Sequence, residues 1–186
     1  TVSRVLNKPG EVEQTLTERV LRAIQELNYR PNLVARGLRT QATSVVALII
    51  SDIENPFFTS VCRGAEDVAN RAGYSVMVCN ADEDLGKERD YIAMLAAQRV
   101  AGIIISPASA ELTDISPLHE RGIRVVALDR PLPIATDSVR VDNRAGARAA
   151  THHPLASGAG RLAGMTATRY PTTARARAPG YLEARA

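Results

Sequence analysis

The chain has 186 residues, 45% of them apolar, and a net charge of +3, which suits one globular domain or one domain with a small head. No uncharged apolar run reaches the roughly 18 residues of a membrane span, and Thr1 to Gly10 carries Arg4 and Lys8 but no apolar stretch of the secretory kind. Two cysteines, Cys62 and Cys79, in apolar helix-like and strand-like settings, fit free thiols in a reducing cytoplasm better than a disulfide or a metal site.

Charge is unevenly spread. Residues 1–40 carry seven Lys/Arg against four Glu, residues 41–150 eleven basic against fifteen acidic groups, and residues 151–186 five Arg against one Glu. A basic head on an acidic body is what binding to a phosphate backbone through one end would produce.

In chain order, residues 2–7 read as a short helical piece, and Pro9-Gly10 marks a loop. Over residues 15–27, Leu16, Val20, Leu21, Ala23, Ile24 and Leu27 recur on one helical face, so this element packs rather than reads a ligand. Pro31 biases Arg30 away from the helical region, and Asn32 is a good N-cap for a short helix from Leu33 to about Arg39. That helix sets Leu38 beside Arg36 and Arg39. Helices below about 12 residues are marginal alone, so this one needs a partner, such as a polyanion beneath the arginines; a solvated linker is the alternative.

From Ser44 the period changes. Residues 45–50, Val-Val-Ala-Leu-Ile-Ile, form an apolar run expected of a strand buried on both faces. The spacing then predicts a helix over 57–72 ended by Gly73, a strand over 74–79, a helix over 85–98 and a strand over 100–106. A helix over 112–121 ended by Gly122, a strand over 123–128 and a short strand over 139–141 follow. The alternation argues for an α/β fold with a doubly wound parallel sheet. Ligands of such sheets lie beyond the carboxyl ends of the strands, which selects residues 51–58, 80–84, 106–107 and 129–130. Asp129, Arg130 and Asp82 could exchange hydrogen bonds with a polar ligand there, and Phe57 or Phe58 could supply an apolar wall. Alternatively, Asp52, Asp82 and Asp129 cap turns or helices while the two phenylalanines fill the core.

Enzyme signatures fail. The chain has no phosphate-binding P-loop, no Gly-x-Ser-x-Gly and no histidine pair at metal spacing. Gly158-x-Gly160-x-x-x-Gly164 does not follow a strand pattern and so is no dinucleotide loop. No catalytic residue, cofactor or metal is expected.

Several motifs occur in one order: Thr1-Val2-Ser3-Arg4-Val5-Leu6-Asn7, Tyr29-Arg30-Pro31-Asn32, Ala35-Arg36-x-Leu38-Arg39, Asp52-Ile53-Glu54-Asn55-Pro56-Phe57-Phe58 and Arg99-Val100-Ala101-Gly102-Ile103-Ile104. Together they resemble the LacI/GalR family of bacterial transcription repressors, strongly to about Asn143 and more weakly beyond. The resemblance implies a partial helix-turn-helix head over residues 1–29 and a hinge helix with linker over 30–43. An effector-binding periplasmic-binding-protein-like subdomain over 44–143 and the start of an incomplete second subdomain over 144–186 follow. In the head, Thr1, Ser3 and Asn7 match phosphate-holding positions, and Arg4 matches a base-reading one. The first helix and turn of the family head have no counterpart, so specific DNA is expected to be held weakly. Tyr29, Asn32 and Ala35 match DNA- or hinge-facing positions, and Leu38 matches the wedge that enters the minor groove; an ordinary apolar contact is its alternative. Asn55, Pro56, Phe57, Phe58, Asp82 and Asp129 match the effector cleft, with Thr173 and Arg177 reaching it from the far wall. The implied partners are double-stranded operator DNA, a sugar-like effector and a second copy of the chain, with no membrane, in the cytoplasm. A periplasmic-type sugar-binding protein shares the core but needs an export signal and no basic head; a non-functional gene fragment is the other alternative.

After Val141 the chain contains no Val, Ile or Phe, which leaves little for a strand core. Pro154 and Pro179 fall inside helical patterns, where a proline costs about 3 kcal/mol or more. The sequence therefore predicts helix breaks there and poor folding of residues 144–186.

Overall fold

The computed structural model describes residues 2–7, 9–29, 43–165 and 172–185. The chain divides into two compact units, Thr1–Gln41 and Ala42–Ala186. Among the described residues no helix is long and apolar enough to cross a membrane.

The first unit contains α1 (Val2–Asn7), a 3-10 turn (Pro9–Glu11) and α2 (Gln14–Glu26). Val5 is buried, whereas Val2 and Leu6 on α1 and Leu16 and Leu21 on α2 stay exposed. The amphipathic pattern of α2 thus produced a helix without giving it any buried residue. The proposed hinge residues Asn32, Ala35 and Leu38, and Thr1, lie outside the described residues.

The second unit is built on a five-stranded sheet in the order β2-β1-β3-β4-β5, with every pairing parallel. Its strands are β1 (Val45–Ile50), β2 (Ser75–Asn80), β3 (Gly102–Ile105), β4 (Arg124–Leu128) and β5 (Asp137–Val139). The helices α3 (Pro56–Arg71), α4 (Leu85–Gln98) and the short α5 (Ser116–His119) connect the first four strands. Ala47 and Ile49 of β1 enter one core cluster with Ile92, Leu95, Ile103 and Leu118; Leu48 and Ile50 enter the other with Phe58 and Leu128. The apolar run of β1 is therefore buried on both faces, as a central parallel strand requires. Asn55 starts α3 by accepting a hydrogen bond from the Phe57 N–H at 3.0 Å, with Pro56 in the first turn, and Asp84 caps α4 through the Lys87 N–H at 2.8 Å. Gly73 and Gly122, both at positive φ, turn the chain back toward the sheet.

Two elements differ from the sequence reading. The helix expected over 112–121 shrinks to Ser116–His119, because the Asp114 carboxylate accepts from both the backbone N–H (2.9 Å) and the hydroxyl (3.0 Å) of Ser116, starting the helix there with Pro117 in its first turn. The last strand ends at Val139 rather than continuing to Val141. Asp142 instead caps the next helix by accepting from the Ala145 N–H at 2.9 Å.

The expected helix breaks do not occur. Helix α6 (Asn143–Ala156) runs through Pro154, which lies in its last turn, and α7 (Thr172–Glu183) runs through Pro179. The two helices pack on one another, and small buried groups replace the missing aliphatics: Thr151 on α6, Thr173 and Ala174 on α7. Gly180 makes the approach possible, since a Cβ there would overlap the Arg144 carbonyl and sit 3.1 Å from the Arg148 nitrogen. An ion pair between Arg144 and Glu183 ties the same faces together. Gly180→Ala is expected to loosen this pair of helices by about 1–3 kcal/mol. Limited proteolysis should then cut residues 144–186 several-fold faster while residues 43–143 stay resistant; unchanged cleavage would mean the close approach is not made in solution.

Candidate functional site

The order of the sheet reverses between β1 and β3, and there the strands end in a buried hydroxyl pair, Ser51 Oγ and Ser106 Oγ, 2.9 Å apart. In doubly wound sheets the crevice outside this point is where ligands bind. The polar side chains of this edge fall into two sets.

The first set is internal. Arg130, only 5% exposed, gives two parallel hydrogen bonds to the Glu83 carboxylate, at 2.6 and 2.5 Å, and a third to the Pro107 carbonyl at 3.1 Å. The reading of Arg130 as a donor to ligand is thereby corrected: its terminal nitrogens are committed to the protein, and its Nε is buried without a partner. Glu88 lies beneath, 1% exposed, accepting from the Thr113 hydroxyl at 2.6 Å and the Ala108 N–H at 2.7 Å. Burial pushes the Glu88 carboxyl above its ordinary value, outweighing those two hydrogen bonds and the nearby Arg130 charge.

The second set faces outward. A cleft of about 460 Å³ is lined by Asp129 and Pro131 after β4, by Arg140 to Arg144 at the start of α6, and by Thr173 and Ala176 in the first turns of α7. Asp129 and Thr173, far apart in sequence, share this cleft, and Arg177 is close enough for its charge to act on Asp129. Burial raises the Asp129 pKa; Arg130 and Arg177 pull it down, and Glu83 pushes it up. Among the described residues no hydrogen bond reaches the Asp129 carboxylate, whose Oδ2 stands 4.0 Å from Arg130 Nε. A half-buried carboxylate and a Thr that is 7% exposed, with a guanidinium charge in range of the carboxylate, can together accept from and donate to a hydroxyl-bearing molecule. A second cleft, about 550 Å³, lies around the start of β4 and is lined by His119, Arg124, Thr136 and Asp137 among others.

Arg177 is not among the residues lining the first cleft, and neither are the remaining expected effector residues. Asn55 and Pro56 serve the start of α3. Phe58 is 3% exposed in the core, which corrects its reading as a pocket wall, and leaves Phe57, 38% exposed and edge-on to it at 5.1 Å, as the available ring. Asp82 is paired with Lys87 and accepts from Asn80 Nδ2 at 2.5 Å; the Lys87 hydrogen bond lowers its pKa. It organises the loop after β2, where Asn80 Oδ1 also accepts from the Ile53 N–H at 3.1 Å.

In the head, Arg4 is exposed on α1, and Ser3 and Asn7 belong to the same helix, their side chains lying outside the described residues. Tyr29 is half exposed just after α2. Sequence reasoning selected the loop over 80–84 without singling out Glu83, and it missed Glu88, Arg140 and Arg144. Glu88 in particular gives no local sign of burial in the sequence, although the structure leaves it 1% exposed.

The parallel sheet, its switch point and the cleft at its carboxyl edge define a periplasmic-binding-protein-like core. Residues 43–186 match the model of the periplasmic binding proteins and sugar binding domain of LacI family, and residues 1–32 match that of the bacterial regulatory proteins, lacI family. The chain belongs to the LacI family. It is 42% identical over 183 residues to the ribose operon repressor of Halalkalibacterium halodurans, covering 98% of this chain and 54% of that protein. Among solved structures it resembles a LacI family transcriptional regulator from Enterococcus faecium with bound ribose (29% identity, TM-score 0.66, 75% of this chain and 51% of that one). It also resembles the Cra regulator of Pseudomonas putida in complex with fructose 1-phosphate (26% identity, TM-score 0.69, 76% and 53%). The chain spans about half the length of the curated relatives it matches.

Glu88 yields a pH test. Its folded-state pKa is raised, so its contribution to stability is greatest below the ordinary glutamate range and falls as pH rises through that range toward the raised value. Urea unfolding across this window should show the wild type losing stability relative to Glu88→Gln as pH rises. A relative gain would mean that the Thr113 and Ala108 hydrogen bonds outweigh burial.

Proposed function

We propose that the chain is part of a cytoplasmic, homodimeric transcription repressor whose hold on operator DNA is set by a sugar-like effector, with no enzymatic step. The observation that carries the effector half is the meeting of Asp129 and Thr173 in one cleft with the Arg177 charge beside them. In this reading Asp129 accepts from effector hydroxyls, Thr173 and Arg177 close the far wall, and Phe57 and Asp82 border the approach. D-ribose is the first effector to try, on the strength of the ribose operon repressor and the ribose-bound structure among the relatives. The effector must bind the DNA-competent and incompetent states unequally, or it shifts nothing.

The DNA half is supported by the family match of residues 1–32 and by the basic balance of residues 1–40. Thr1, Ser3 and Asn7 would hold phosphates and Arg4 would reach a base edge. Tyr29, Asn32 and Ala35 would flank the duplex, and Leu38 would wedge into its minor groove.

The test is fluorescence anisotropy of the chain with mixed duplex DNA across a salt series. Binding at low salt that falls steeply as salt rises is expected, and Arg36→Gln should reduce the slope by about one. No binding at low salt, or binding indifferent to salt, would overturn the DNA half of the reading.

A further inference from the structure

Five non-glycine residues with positive φ occur among the described residues, and three of them stand at the carboxyl edge of the sheet: Asp82 (φ 53), Glu83 (φ 57) and Asp129 (φ 63). Such a backbone is unfavourable for a residue with a Cβ and persists where its surroundings over-determine it. Asp129 carries the tightest constraint. The Arg130 N–H donates across it to the Leu128 carbonyl at 2.6 Å, closing a three-residue turn. The Asp129 N–H donates to the Val139 carbonyl on β5 at 2.9 Å.

The side chain that follows that turn, Arg130, is tied to the far side of the sheet. Glu83 follows β2, its N–H donates to the Ser51 carbonyl at the end of β1 (3.0 Å), and its carboxylate receives both terminal nitrogens of Arg130 at the end of β4. The third bond of Arg130 goes to the Pro107 carbonyl, just past β3. One ion pair thus spans the ends of β2, β1, β3 and β4. Its bidentate geometry fixes the guanidinium in angle as well as distance, which a single point contact would not do.

We propose that Glu83 and Arg130 form a crossbar over the carboxyl edge of the sheet that holds the turn at Asp129 in its left-handed conformation, making Arg130 a positioning residue for the Asp129 carboxylate. The 4.0 Å gap from Arg130 Nε to Asp129 Oδ2 suits this role: Arg130 sets the turn but takes up none of the hydrogen-bonding capacity of the carboxylate. What Asp129 is positioned toward rests on the effector reading of the cleft; the crossbar itself does not.

The test uses the whole chain with Arg130→Lys, which keeps the charge and removes the fork, and Glu83→Gln, a milder change at a partly exposed position. Amide hydrogen exchange at Asp129 and Arg130 is expected to quicken on the order of tenfold in both variants, with Ile103 and Ile105 in the core unchanged. Exchange at Asp129 left as in wild type, or quickened equally in the core, overturns the crossbar. Calorimetric titration with D-ribose supplies the second arm. The affinity lost in Arg130→Lys should vanish when Asp129→Asn is already present, because one acts through the other; losses that simply add would contradict the positioning role. A wild-type chain that takes up no D-ribose removes ribose as the effector, and the exchange result still decides the crossbar.

Discussion

Strand β1 is enclosed on both faces, Ala47 and Ile49 toward one layer of helices and Leu48 and Ile50 toward the other. A strand so enclosed can present polar chemistry only where it ends, and parallel pairing brings the ends of β2, β3 and β4 to the same edge. The rest of the unit follows from this constraint. The loops after these strands must satisfy buried polar groups on the sheet side and remain open on the other. Ser51 and Ser106 pair at the switch point, and Glu88 is satisfied by Thr113 and Ala108. Arg130 is satisfied by Glu83 and Pro107. A buried charge left without such partners costs several kcal/mol, so the contacts of Glu88 and Arg130 are conditions for this edge of the sheet.

The cleft itself depends on a different kind of packing. Asp129 comes from the sheet edge, whereas Thr173 comes from α7, which is held by close contact with α6 rather than by large aliphatic side chains. The helices α6 and α7 achieve this with Gly180, Thr151 and Ala174 where another chain would use Val or Ile. Such packing brings the helices near each other but buries little apolar area, and hydrophobic stabilisation scales with that area. The sheet-borne half of the cleft therefore stands on a deeper core than its helical half.

The α/β alternation was legible because the apolar run of β1 and the capped, periodic segments of α3 and α4 each carry a local signal. The helix over 85–98 agrees with its structural span residue for residue. Less legible were features decided by single contacts. Asp114 relocates the start of α5, Asp142 converts an expected strand end into a helix start, and Gly180 lets α7 pass Pro179 closely against α6. Of the candidate site, Asp129 was indicated by its place at the carboxyl end of a strand, whereas Thr173 and Arg177 were suggested only by the family resemblance, since residues so far apart in sequence give no local sign of meeting. Phe58 was misread because an aromatic at a helix start fits a pocket wall and a core equally well. Arg130 was misread because its partner, Glu83, lies 47 positions away.

The central claim is that the cleft shared by Asp129 and Thr173 is the place where a hydroxyl-bearing effector binds. Backbone amide shift mapping during a D-ribose titration tests it most directly. The account expects the largest shifts at Asp129, Asn143 and Thr173, with the sheet core silent. Shifts centred on His119, Arg124 and Asp137 around the second cleft would contradict it.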